Sequence, residues 1–439
     1  MKWRHRFDAI ALWATIIYLS QKGCQGLAGC LTPTPDRNYW RCLILIHGIS
    51  MPQHLVLIGG GHSHAIVLKM FGMKPLSGVH LTLITDVLYA PYSGMLPGHI
   101  AGFYSYEECH IDLRSLCEFT QCEILVDRAI AIDFNKNQVI CQNSPPVSFD
   151  LLSIDIGSTP ATLSVPGANE YAIPAKPVPE FLANWNQLIT SPANYLNQPL
   201  NIAIVGGGAG GVELALNMQS RLARKTDNYQ INLVHSGAEL MPQHNQRVRH
   251  RLKKIIINSG IKLHLMEKVV GIKNTKIIDT NKSSECHIPN YEIACESGLR
   301  LDVNRIFWVT QASAANWIKT SGLATDSNGF IQVNDYLQSV SHPHVFAAGD
   351  ICTMINYPRP KAGVFAVRQG PPLFENLQRF LLAKPLKPFA PQAQYLGLIG
   401  TGNKKAIASR GSWMWESRLL WYWKDWIDRQ FMQKFQHKN

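Results

Sequence analysis

Two glycine-rich turns, each following a short apolar run and opening a stretch of helical composition, constrain this chain more than any other feature. The first run, Leu55–Ile58, leads into Gly59-Gly60-Gly61-His62-Ser63-His64. The second, Ile202–Val205, leads into Gly206-Gly207-Gly208-Ala209-Gly210-Gly211-Val212-Glu213. Helical composition follows in Ala65–Phe71 and Val212–Leu222, then further strand-like runs in Leu81–Thr85 and Ile231–Val234. Strand, glycine turn, helix and strand make the βαβ unit that binds a dinucleotide. The glycines allow a tight turn and close backbone approach, and the helix N-terminus offers unpaired N–H groups and partial positive charge to a pyrophosphate. Two such units, with Val345-Phe346-Ala347-Ala348-Gly349-Asp350 near the end, predict two dinucleotides in one chain and electron transfer between them. The expected fold class is α/β: two Rossmann-like three-layer domains, the second inserted in the first, plus a small C-terminal helical piece.

The two turns are not equivalent. Gly206, Gly208 and Gly211 fill every position of G-x-G-x-x-G, and Glu213 is expected in the first helical turn. The first turn has Gly59 and Gly61 but carries His64 where a third glycine normally permits close helix–strand packing. His62 and His64 read either as ordinary loop residues or as donors near phosphate. After the first unit, Asp86 or Thr85 is placed to hold an adenosine ribose. The corresponding place in the second unit reads Val234-His235-Ser236, with no carboxylate. Loss of that acid permits a phosphorylated ribose, so NADPH as well as NADH; the other reading is a partly degenerate site.

Charge excludes a nucleic-acid-binding core. The net +12 is carried mostly by the ends: +4 in residues 1–50 and +5 in residues 403–439, leaving +3 for everything between. A membrane surface is the more natural partner of such ends. The ten cysteines show no metal spacing, which predicts no metal site and free thiols in a reducing, cytoplasmic setting. Residues 1–50 read as a non-conserved or disordered extension ahead of Met51. A signal or membrane anchor is one alternative, since Met1–Arg6 is basic, Ala9–Leu19 is apolar and Leu27-Ala28-Gly29-Cys30 resembles a lipoprotein cleavage box; a folded extra element is the other.

The chain is expected to divide into a first nucleotide domain in two parts, 51–165 and 301–390, a second nucleotide domain at 180–300, and a C-terminal region at 391–439. Ile124–Ile132, Gln138–Gln142 and Asp150–Ile156 read as one strand meander, and Pro166–Pro179 as a linker. Near the end, Leu419, Trp423, Ile427, Phe431 and Phe435 recur every four residues, with further tryptophans and basic residues between them. That pattern suits an interfacial membrane helix or a homodimer contact, and equally a helix packed on its own domain.

The two turns, Asp150–Gly157 and Asn334–Asp350 resemble the two-dinucleotide-domain flavoproteins, the pyridine nucleotide-disulfide oxidoreductase superfamily, over roughly residues 52–390. The resemblance implies FAD on the first turn, at Gly59, Gly60, Gly61, His62 and Ser63, with Gly157, Gly349 and Asp350 toward the ribityl-phosphate region. It implies NADH or NADPH at Gly206, Gly208, Gly211 and Glu213. Ala90–Gly98, where disulfide members carry their cysteines, has none, so the chain looks more like the type II NADH dehydrogenases, which pass electrons from flavin to a quinone. Pro91–Gly98, Pro360–Pro372 and Lys424–Arg429 resemble the flavoprotein half fused to selenide, water dikinase; the dikinase half itself is absent.

The implied activity is hydride transfer from NAD(P)H to flavin and onward to a quinone or another small acceptor. Lys361 and Ala362, ahead of a helix near Gly363, are placed to stabilise negative charge at the pyrimidine end of the flavin, or Lys361 is merely solvated. Gln369 is the candidate on the acceptor side. Gly363-Val364 stands where the type II enzymes usually have Ala-Gln. The alternatives are a sulfide:quinone oxidoreductase, for which Cys352 is the one cysteine near the expected flavin, and a flavin- or nucleotide-sensing accessory protein linked to selenium metabolism. His64, His235 and Thr310-Gln311 favour the sensor.

Overall fold

The computed structural model describes residues 53–160, 165–190, 199–275, 289–310 and 312–436. The expectations for residues 1–50 and for Gln311 lie outside them. Of a first unit the structure describes Gln53 and Ser77–Val79, where the Gln53 N–H donates to the Gly78 carbonyl at 2.8 Å. The sites considered below belong to the second unit, His54–Leu76 and His80 onward.

The first five-stranded sheet runs, in order, Val345–Ala347, Leu151–Ile154, Gln53–Ile58, Val79–Thr85 and Glu123–Val126. Leu55 pairs with Leu151, Val345 with Leu152 and Thr82 with Glu123, all in parallel. Leu55, Val56 and Leu57 are fully buried. A continuous apolar run is what a strand covered on both faces requires. Helix α1, His62–Met73, leaves the first turn.

The second five-stranded sheet runs Ile173–Pro174, Arg305–Trp308, Leu200–Val205, Tyr229–His235 and Lys262–Leu265, also parallel. Helix α2, Ala209–Leu222, leaves the second turn. Helix α3, Gly363–Leu381, returns to the first domain and crosses α1 where a Cβ on Gly370 would come within 2.7 Å of Ile66. Only glycine lets the two helix backbones approach that closely.

Several expected boundaries move. Arg305–Trp308 still belongs to the second sheet, so the return to the first domain comes after residue 308, not at 301. The proline-rich stretch is not a bare linker: it holds a short helix, Ala168–Tyr171, and the edge strand Ile173–Pro174. The meander is broken by Asp127. Its carboxylate accepts N–H groups from Arg128, Asn143 and Ser144, turning the chain so that Glu123–Val126 stays in the parallel sheet. Ala129–Asp133 pairs instead with Gln138–Cys141 in a separate antiparallel sheet.

The C-terminal region is not purely helical. Gly397–Gly400, Ala406–Arg410 and Trp413–Ser417 form an antiparallel sheet ahead of helix α4, Arg418–Gln433. The Ser417 hydroxyl caps α4 by accepting the Leu419 N–H. This sheet lies on the second domain. Glu213 accepts the Gly400 N–H at 2.8 Å, Asn245 donates to the Gly411 and Trp413 carbonyls, and Arg251 pairs with Glu416.

The five-residue stripe on α4 does not lie on one face. A spacing of four advances about 40° per step, so its ends diverge by roughly 160° over sixteen residues. Phe431 and Phe435 are buried, whereas Leu419 is 70% exposed and Trp423 45%. The buried face carries Leu420, Asp428, Phe431 and Met432. The exposed face carries Leu419, Tyr422, Trp423, Trp426 and Ile427, continued by Trp413 and Trp415 of the adjoining strand. Among the described residues, no helix is long and apolar enough to cross a membrane.

Candidate functional site

The second turn has the geometry its glycines imply. Gly206 sits at φ +126°, and a Cβ there would lie 2.3 Å from the Val309 carbonyl oxygen; one on Gly211 would lie 1.8 Å from that of Gly206. Both positions are closed to any side chain. Gly208, the N-cap of α2, has nothing within 4 Å of a built Cβ. The cradle at the helix N-terminus therefore faces open space, as a pyrophosphate requires. At the end of the neighbouring strand, His235 Nδ1 accepts the Gly207 N–H at 3.2 Å. Burial holds His235 below the usual imidazole value, so at neutral pH it offers no charge of either sign to a ribose. Glu213 is not in the first turn of α2: it is the fifth residue, is largely shielded, and uses its carboxylate on Gly400. Burial raises its pKa.

The first turn is built differently. Gly59 has φ +90°, with a Cβ position 2.4 Å from the Asp155 carbonyl oxygen. His64 is neither a loop residue nor available to phosphate. It is a buried residue of α1 whose Nδ1 bonds the Gly59 carbonyl at 2.7 Å and whose Nε2 bonds Ser153 Oγ at 2.8 Å. With both nitrogens engaged, the ring supplies the helix–strand contact that the missing glycine would make by close approach. Burial lowers its pKa to about 4. His62 opens α1. Its Nε2 is shielded and has no hydrogen-bond partner among the described residues, and its ring lies 5.4 Å from that of Tyr92. Ser63 donates its hydroxyl to the Ala366 carbonyl at 2.8 Å, tying α1 to α3.

An unforeseen carboxylate occupies the centre of this site. Asp155, 2% exposed, accepts N–H bonds from Ser63 at 2.9 Å and His64 at 3.2 Å, at the N-terminus of α1. A Cβ on Gly61 would meet its carboxyl carbon at 2.3 Å, and one on Gly349 would meet its Oδ1 at 2.3 Å. Burial pushes its pKa up to about 7 against the pull of the two N–H groups. The signal in the sequence was the order Ile154-Asp155-Ile156-Gly157, an acid inside an apolar strand end.

Thr85 is buried and its hydroxyl closes a local turn with Val87. Asp86 lies just past the strand end and pairs with Arg128 at 3.0 Å. Asp350 pairs with Lys176 at 3.1 Å and receives the Ser158 hydroxyl at 3.4 Å, beside Gly157 at φ +69°. Gly349 (φ +72°) gives its N–H to Gln369 Oε1 at 2.7 Å. Gln369 is thus buried and holds the Gly349-Asp350 turn in place. Lys361 is not solvated. Its Nζ donates to the Cys352 carbonyl at 2.5 Å and to Thr353 Oγ1 at 3.0 Å, and lies 3.9 Å from the centre of the Phe330 ring. Burial lowers its pKa. Ala362 is the N-cap of α3. Gly349, Asp350, Lys361, Ala362 and Gln369 line one open cleft, with Cys352 and Phe365.

The three segments Pro91–Gly98, Pro360–Pro372 and Lys424–Arg429 converge. Tyr92 OH donates to Asp428 at 3.1 Å, and Lys424 donates to the Gly94 carbonyl and to Asp428, each at 2.6 Å. A Cβ on Gly363 would come within 2.8 Å of Ser93 Oγ. Phe431 stacks on Tyr92 with ring centroids 4.5 Å apart.

Residues 53–370 match the family model described as pyridine nucleotide-disulphide oxidoreductase. The chain belongs to this family. The oxidoreductase is 24% identical to the NADH dehydrogenase-like protein YutJ of Bacillus subtilis, over 85% of this chain and 99% of that protein. It is 23% identical to ferroptosis suppressor protein 1 of Xenopus tropicalis, over 80% and 87% respectively. Its fold is that of NDH2 from Plasmodium falciparum, solved with NADH. The TM-score is 0.70 at 15% identity, covering 88% of this chain and 97% of that one. Despite the family name, every described cysteine is free. Cys352, buried, has its thiol pushed up to about 12 by burial, which keeps it protonated and a poor nucleophile. Among the described residues no cluster of His, Cys, Asp or Glu is arranged to hold a metal ion.

Proposed function

We propose that this oxidoreductase is an FAD-dependent NAD(P)H dehydrogenase that passes electrons to a quinone or a similar small acceptor. The observation that carries this reading is the presence, in one compact unit, of two parallel sheets that each feed a glycine turn into a helix. FAD supplies the hydride chemistry when bound; the chain supplies position and charge. Gly59, Gly60, Gly61, His62 and Ser63 border the pyrophosphate. The unpartnered His62 Nε2 is a donor or acceptor waiting for a ligand atom. Asp86 and Thr85 serve the adenosine end, and Gly157, Gly349 and Asp350 the ribityl end. The N-terminus of α3, with Lys361 and Ala362, biases the cleft toward negative charge, and Gln369 keeps Gly349 and Asp350 in register. Gly206, Gly208 and Gly211 hold NAD(P)H, with Glu213 fastening the C-terminal sheet behind them.

The deciding experiment is a visible spectrum of the purified chain, followed by anaerobic addition of NADH or NADPH. A yellow protein that bleaches supports the dehydrogenase. Bound flavin that stays oxidised with both nucleotides overturns it in favour of a sensor. A quinone panel then names the acceptor. Because His235 replaces the ribose-binding acid, His235→Asp is expected to shift the NADH to NADPH ratio of kcat/KM toward NADH by roughly tenfold. An unchanged ratio would mean that the ribose lies elsewhere.

The Synechocystis demethylphylloquinone reductase NdbB, 24% identical over 53% of both chains, acts on a quinone by its name, and quinones partition into lipid. We therefore place the protein on the cytoplasmic face of a membrane, docked through Leu419, Tyr422, Trp423, Trp426 and Ile427, in preference to a homodimer through the same helix. Tryptophan on an amphipathic helix suits the bilayer interface. Deleting α4 would remove core residues, so the test is Trp423→Glu/Trp426→Glu, two exposed positions. Co-sedimentation with anionic liposomes is expected to fall about tenfold. Unchanged sedimentation excludes docking through this face, and a dimer in lipid-free gel filtration assigns the face to a second copy. Kinship with the dikinase-fused flavoproteins, and with it a link to selenium metabolism, rests on the three convergent segments alone.

A further inference from the structure

Asp155 is a carboxylate built into an anion site. The N-terminus of α1, the end that attracts negative charge, already has two N–H groups engaged by it. Gly61 and Gly349 leave no room for a Cβ against its carboxyl atoms, so these glycines frame the carboxyl group itself. Strand end, glycine turn and the Gly349-Asp350 turn thus close around one acidic side chain.

The charged and titratable groups around it are few. Asp350, from the Gly349–Ile351 turn, adds like charge. Cys352, on the following strand, is a protonated thiol electrostatically coupled to Asp155. His64, on α1, has both ring nitrogens committed to Gly59 and Ser153. His62, also on α1, is held neutral by burial, with a pKa of about 4. Lys361 is directed to Cys352 and Thr353, and Lys176 to Asp350. No cation pairs with Asp155 among the described residues.

We propose that Asp155 couples loading of the flavin dinucleotide to uptake of one proton, its carboxylate becoming a neutral carboxyl as the pyrophosphate arrives. This rests on the FAD reading of the first turn. An ionised Asp155, 2% exposed, would put a carboxylate and a pyrophosphate on the same few N–H groups, and like charges so placed cannot both persist. The neutral carboxyl keeps its carbonyl oxygen as acceptor for Ser63 and His64 and gains an O–H donor that the anionic ligand can accept. The balance is one proton from solvent per FAD bound, with no bond to carbon made or broken.

The sign follows from linkage. The folded, ligand-free carboxyl titrates near pH 7, and the bound pyrophosphate raises it further. Affinity is therefore flat below about pH 7. Above it, affinity falls by up to tenfold per pH unit until the bound carboxyl also ionises. No group of FAD titrates between pH 6.5 and 8.5, so the slope reports the protein.

The test is FAD titration of the apoprotein by fluorescence quenching across that window, with calorimetry in two buffers of different ionisation enthalpy to count protons. Wild type is expected to lose affinity as pH rises and to take up close to one proton at pH 8. Asp155→Asn, shaped like the neutral carboxyl, is expected to bind FAD with a flat profile near the wild-type affinity at pH 6.5. Binding without slope or proton uptake in wild type overturns the proposal while leaving the FAD reading intact, as does a slope retained in Asp155→Asn. Absence of FAD binding at every pH overturns the FAD reading itself. The proton count uses wild type alone, so a variant that fails to fold does not remove the test.

Discussion

Gly208→Asp is expected to fold as stably as the parent chain and to lose reduction by NAD(P)H. Gly208 is the N-cap of α2, with φ −74° and ψ −177°, a backbone conformation open to any residue. A Cβ there meets nothing within 4 Å, and aspartate is among the best N-caps. Thermal stability should stay level or rise by a few tenths of a kcal/mol. The new carboxylate would sit on the N–H groups that a pyrophosphate needs. Loss of charge-assisted bonds and added repulsion together cost about 3 kcal/mol or more, a weakening of at least about a hundredfold. Bound FAD should remain, because the first turn is untouched. The measurement is flavin retention and anaerobic bleaching of the same sample. Unimpaired bleaching would show that the second turn does not hold the reductant.

Asp428→Ala is expected to destabilise the fold as strongly as truncation of a buried core side chain. Lys424 and Asp428 face each other on α4 with side chains only 16% and 7% exposed. Removing the carboxylate leaves the ammonium with the Gly94 carbonyl and the more distant charge of Glu213, and strips Tyr92 of its acceptor. Breaking one side of such a pair costs about 3–5 kcal/mol. The double replacement Lys424→Met/Asp428→Leu removes both charges and is expected to recover most of that loss. Urea midpoints of the three proteins check this. A drop for Asp428→Ala no larger than that of an exposed pair, under about 1 kcal/mol, would show that the cluster is hydrated in solution. Because Tyr92 also packs on Phe431 and His62, both variants should release FAD more readily than the parent chain.

The backbone geometry of the two turns was legible because its signals are local. A glycine at positive φ, an apolar run and a helix start lie within a dozen residues, and each is set by backbone sterics. Gly59, Gly206 and Gly211 are glycines for the reasons the motif implies. What escaped were pairings between distant residues. Nothing near His64 says that it meets Ser153, and nothing near Glu213 says that it meets Gly400. Gln369 lies within hydrogen-bond reach of Gly349 only because α3 folds back over α1.

The strands, the two turns and the α/β class follow from hydrophobic periodicity and glycine sterics, which act over a few residues and leave their mark in the order of the chain. Tertiary packing decided the rest. It chose which side of α4 is buried, because a spacing of four drifts around a helix until neighbours select a face. It also placed Asp155 at the head of α1, because an acid can occupy the end of a buried strand only where another element's N–H groups come to meet it.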